Sequence, residues 1–136
     1  MDTTPETPAT PVPMLVAAAV VALEGLGTAV YGIAEALHTT SARVVMGTTT
    51  SLFLVVYGAG MLLCAWGLQR VRTWARGPVL LVQLLSLGLA WSFHSGSTWP
   101  LSLLLGVPAV IVLVAMLHPA TIAALNPPYE GPEDQD

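Results

Sequence analysis

Two carboxyl groups, Glu24 and Glu35, lie inside the apolar body of this chain. Together with Thr28 and Tyr31 they recur at spacings of 4, 3 and 4 residues. At roughly 100° per residue on a helix, the four side chains fall within about 60° of one another. An ionisable group in a greasy helix carries protons or binds cations, or it is a structural acid bonded to a polar neighbour. Tyr57 and Gln83 stand at matching depths and are the expected partners of Glu24 for proton or polar coupling, with Ser86 as a further candidate. Glu35 and His38 form an E-x-x-H spacing, and His94 falls at the same predicted level. A carboxylate and two imidazoles suit Zn²⁺ or Fe²⁺. Di-iron bundles, however, use two such motifs plus two further Glu, and this chain has one. Glu35, His38 and His94 therefore read as an outer polar cluster, with Arg43 as a partner for Glu35, and no metal site is expected. Imidazoles there could sense pH. Haem between His38 and His94 is a weaker reading, so no cofactor is expected.

No catalytic set is legible. There is no nucleophile–base–acid combination, no Gly-rich phosphate loop and no histidine pair at metal spacing. The single cysteine, Cys64, rules out an internal disulfide and reads as an apolar filler. Four Arg, no Lys and a net charge of −4 argue against nucleic-acid binding. Only 9% of the 136 residues are charged and 54% are hydrophobic, where a soluble domain carries about 25% charged residues. The solvent of this chain should be a lipid bilayer.

Four apolar runs carry the chemistry: 14–37, 44–68, 77–93 and 101–117. Helices are the default, because lipid offers no partner for free backbone groups and the runs lack the alternation of a membrane barrel. The fold class is thus all-α, a polytopic antiparallel bundle of four transmembrane helices. The last two runs, at 17 residues each, only just span. Residues 1–13 read as a disordered tail and 119–136 as an acidic, Pro-containing one, in which a short apolar stretch after Pro119 leads to a disordered acidic end, with Pro127-Pro128-Tyr129 resembling part of a proline-rich ligand. Pro108 should kink the fourth helix. Thr48, Thr49, Thr50 and Ser51 should return hydrogen bonds to their own helix.

Glu24 lies ten residues beyond Met14, about 15 Å deep and close to the midplane. A charge there is expensive and should face protein or water. The same helix carries small residues at Ala18, Ala22, Gly25, Ala29, Gly32 and Ala36. Helices in lipid associate by close backbone approach, so this seam should be a packing groove. Its partner is helix two, through Gly47, Ser51, Gly58 and Ala65, or a second copy, or another membrane protein. Arg70, Arg72 and Arg76 crowd the middle loop, which by the positive-inside rule is cytoplasmic, as are both termini. Trp66 and Trp74 then mark the inner boundary, Trp91 and Trp99 the outer one. Ala34-Glu35-Ala36 has the shape of a signal-peptide cleavage site, but a basic n-region is missing and the run is long, so no cleavage is expected.

The pattern Glu24, Gly27, Thr28, Glu35 in a first helix resembles the small multidrug resistance transporters. That resemblance implies a dimer exchanging protons for cationic drugs, with Glu24 as the carrier. The third helix lacks the family's aromatic and Gly-rich motif, and the basic residues after helix one are missing. The whole chain is more similar to small four-helix membrane proteins of high-GC actinobacteria, through Arg72-Thr-Trp-Ala-Arg76-Gly-Pro78, Gln83-Leu-Leu, Ala90-Trp91-Ser and the absence of Lys. That resemblance implies no activity. The leading expectation is a non-enzymatic accessory or assembly subunit in the cell membrane, docking through the helix-one seam. The alternative is a homodimeric proton-coupled transporter of small cations using Glu24.

Overall fold

The computed structural model describes residues 9–126. The expectations for residues 1–8 and for Pro127-Pro128-Tyr129 with the acidic end lie outside that range. Four long helices follow one another: α1 (Val12–Leu37), α2 (Val44–Gln69), α3 (Arg76–Ser92) and α4 (Trp99–Leu117). A short fifth, α5, covers Pro119–Leu125, and among the described residues there is no strand. All four long segments are long and apolar enough to cross a membrane, so the chain is an all-α bundle suited to a multi-pass membrane protein. Single 3₁₀ turns at Thr73–Ala75 and Gly96–Thr98 precede α3 and α4 and lengthen those segments to 20 and 22 residues. They bring the two shortest runs up to the roughly 20 residues a bilayer requires.

Helix ends differ from the sequence reading by one or two residues, and Pro13 lies inside the first turn of α1 rather than before it. Its missing N–H costs nothing there, since first-turn amides have no intrahelical acceptor. Pro108 stands inside α4, which runs on without a break.

The short apolar stretch after Pro119 has a structure of its own. Residues 119–125 form a short helix folded back onto the bundle, with Thr121 and Leu125 buried. Pro119 ends α4 because it has no N–H to offer the Ala115 carbonyl. That carbonyl instead accepts from the Thr121 hydroxyl at 2.8 Å, and the His118 ring caps the new helix by accepting from the Ala120 amide at 3.1 Å.

Packing is unequal around the bundle. α1 and α2 meet along an extensive interface, α3 packs on α4, and α4 also touches α1. α2 and α3 approach one another little, and α1 and α3 stand across the bundle. Packing is also unequal along it. One buried cluster joins Met14, Ala17, Ala18 and Val21 of α1 to Met61, Ala65 and Leu68 of α2 and to Val112, Ala115 and Met116 of α4. Ala75, Val79 and Leu125 complete it. All lie in the half that contains the Arg-rich turn. Outside that cluster, Gly25, Gly32, Gly47, Ser51 and Gly58 are buried in the α1/α2 pair, and Gln83, Ala90 and Ala109 on α3 and α4. The continuous buried core that joins the two hairpins therefore lies at one end of the bundle.

Candidate functional site

Glu24 of α1 and Gln83 of α3 face each other across the bundle. The Gln83 amide Nε2 donates to Glu24 Oε2 at 2.7 Å, the one side-chain to side-chain hydrogen bond among the described residues. Gln83 is wholly buried, while Glu24 is only part-buried. The amide's other polar atom, Oε1, is buried without a donor. One turn on, the Thr28 hydroxyl donates to the Glu24 backbone carbonyl at 2.8 Å, so Thr28 serves the helix and not the carboxyl. Tyr57 of α2, the other expected partner, is part-buried and makes no hydrogen bond to Glu24. Its ring stacks on Phe53 with centroids 6.0 Å apart. Of the two expected partners the structure thus bonds one. Ser86 is part-buried on the same helix as Gln83.

The level of this bond matters. It lies where the four-helix core ends. Towards the Arg-rich turn, Val21, Met61 and Val79 close the interior. Away from it, Gly32, Gly47 and Ser51 are buried on α1 and α2 and Ala90 on α3. Gln83 is the last fully buried polar side chain that ties one hairpin to the other.

The small seam of α1 has a partner inside the chain. A Cβ added to Gly25 would sit 2.8 Å from the Met61 Cβ and 2.9 Å from the Gly58 carbonyl oxygen. One added to Gly32 would meet the Leu54 Cβ at 2.9 Å and the Ser51 carbonyl oxygen at 3.1 Å. Ala18 is buried with them, Ala22 and Ala29 are part-buried, and Ala36 is exposed beyond the end of the contact. Of the three partners left open by the sequence, helix α2 occupies the groove. Ser51 sits in that interface and donates to Gly47 O at 2.7 Å, and Thr49 likewise donates to Val45 O at 2.8 Å.

The outer polar residues are not drawn into one site. His38 is exposed and its Nδ1 lies 2.7 Å from its own helix's Ala34 carbonyl. His94 is exposed, bonds the Trp91 carbonyl and stacks on the Trp91 ring with centroids 5.2 Å apart. Glu35 is part-buried, and its backbone carbonyl accepts from the Thr39 hydroxyl at 2.8 Å. Among the described residues no three His, Cys, Asp or Glu stand close enough to hold a metal ion. Each histidine is satisfied locally, so the shared level inferred from the sequence does not become a shared site.

Sequence reasoning missed one feature. A groove of about 550 Å³ runs between α3 and α4 in the open half, from Leu87 and Val110 up to Trp91, His94 and Ser102. The Ser102 hydroxyl donates to the Ala90 carbonyl at 2.6 Å at its edge. Its walls are almost wholly apolar, so composition alone could not separate it from lipid-facing surface. No protein-family model, no curated protein and no solved structure matches this chain.

Proposed function

We propose that this is a non-enzymatic carrier of the cell membrane, in which the Glu24 carboxyl exchanges a proton for a small cation. The observation that supports this reading is the placement of Glu24. Its Oε2 is tied to a buried amide, and the residue stays part-exposed at the edge of the buried core that all four helices share. A carboxyl near the midplane is too costly to be incidental. Both side chains of the pair belong to one copy of the chain, so a dimer is not needed to bring them together.

By the positive-inside rule, Arg70, Arg72 and Arg76 place the packed half and both termini towards the cytoplasm. The half of the bundle beyond Glu24 then faces the outer leaflet. Docking as an assembly subunit through the α1 seam is the less favoured reading, because α2 fills that seam.

The test is reconstitution into vesicles holding a pH-sensitive dye, with methylammonium, tetraethylammonium or Na⁺ added outside. The reading expects proton efflux with at least one of these cations, abolished in Glu24→Gln while the protein remains folded. Efflux no faster than from empty vesicles for all three, or unchanged in Glu24→Gln, would overturn it.

A further inference from the structure

We propose that Glu24 and Gln83 form a proton-dependent latch between the α1/α2 and α3/α4 hairpins. A buried glutamine needs donors for its oxygen as well as acceptors for its nitrogen. Here Nε2 is served by Glu24 Oε2 at 2.7 Å, and Oε1 has no donor at all. Leaving a buried acceptor unpaired is unfavourable. A carboxylate has no hydrogen to offer it, whereas a carboxylic acid has one. In the acid form the O–H donates to Gln83 Oε1 while Nε2 still donates to the carboxyl, closing a two-bond acid–amide pair. On loss of the proton to water one bond remains, and a charge is left at an apolar level beside Val21, Met61 and Val79.

Other ionisable groups do not supply that donor. α2 presents Tyr57, whose ring lies against Phe53. Cys64 of α2 and Arg76 of α3 each lie two turns nearer the Arg-rich turn, α3 otherwise offers Ser86 and Gln83 itself, and α4 has no ionisable residue between Trp99 and Leu117. On α1 itself, Glu35 is three turns away. The four Arg all lie outside the apolar runs.

The position gives the bond its leverage. Below it an apolar core joins the hairpins whatever the protonation state. Above it no buried cluster spans them. The pair is thus the outermost tie between hairpins, and breaking it lets the separation advance towards the core. The latch acts on the same carboxyl as the exchange proposed above but does not require a transported cation.

Spin labels at Thr40→Cys and Ser95→Cys, in a Cys64→Ser background, report the gap at the open end. Both sites are exposed in the connecting loops. In liposomes the distance at pH 9 should exceed that at pH 5 by about 5 Å or more, roughly half a helix diameter. Glu24→Gln keeps one donor and one acceptor towards Gln83, so it should hold the short distance at both pH values. Gln83→Leu should remove the pH response. An identical distribution at both pH values in the parent, a pH response retained in Gln83→Leu, or lengthening of Glu24→Gln with pH would overturn the latch. Proton–cation exchange without a distance change removes the latch and leaves the carrier. A distance change without exchange does the reverse.

Discussion

The two halves of this bundle are built from the same kinds of residue and yet differ in almost every physical respect. In the half with the Arg-rich turn, Met14, Leu68, Val79 and Met116 are buried in one continuous core. In the other half Leu52, Phe53, Leu104 and Trp91 are largely exposed, and burial is confined to each hairpin. The turn that closes the packed half is also tightly specified. α2 ends in a Schellman arrangement, with the Arg72 amide donating to Gly67 O at 2.9 Å and the Val71 amide to Leu68 O at 3.0 Å. Val71 takes a φ of 54° there, a conformation usually left to glycine, and still packs against the core. A β-branched residue accepts that strain only where surrounding contacts over-determine the backbone. In a bilayer, apolar composition does not drive helices together, so the contrast arises from shape and hydrogen bonding.

That contrast can be broken most severely at Gly58. A Cβ there would lie 2.5 Å from the Gly25 carbonyl oxygen and 2.7 Å from the Ala29 amide nitrogen, both rigid backbone. Gly58→Leu should destabilise the fold by more than about 3 kcal/mol, read as loss of the folded state in a detergent titration. Leu68→Ala, in the packed half, should cost about 2 kcal/mol. The figure is at the low end because the freed side chain stays in lipid and only the cavity is felt. Leu52→Ala, in the open half, should change stability by less than about 0.5 kcal/mol in the same titration. Equal effects at the two positions would show that the halves are packed alike. Thr121→Val should cost about 1 kcal/mol, because the Ala115 carbonyl loses the hydroxyl that replaces the missing Pro119 amide. The same change should raise protease sensitivity at α5.

The four spans were legible because hydropathy and breakers report directly on solvent. Glu24 and Gln83 could be paired beforehand because the rise of a helix converts sequence position to depth. Three things were not legible, each for its own reason. Residues 119–125 register only as a short apolar stretch with no helical period of its own, and they are held by Thr121 and Leu125, which are buried against the bundle. His38 and His94 share a level, but a level does not fix the direction in which a side chain points, and both turn to their own helix carbonyls. The one-ended packing left no trace at all, because a residue facing lipid and a residue facing the core are chosen from the same list. Leu68 and Leu52 are the same amino acid in nearly opposite environments.

The claim on which the rest depends is that Glu24 and Gln83 are energetically coupled across the bundle. A double-mutant cycle with Glu24→Leu, Gln83→Leu and the double variant measures this directly by unfolding in mixed micelles. The account predicts a coupling of about 0.6 to 1.7 kcal/mol, the range found for hydrogen bonds between membrane helices. Additivity of the two single changes within about 0.3 kcal/mol would mean the two side chains are neighbours without being partners, and would contradict it.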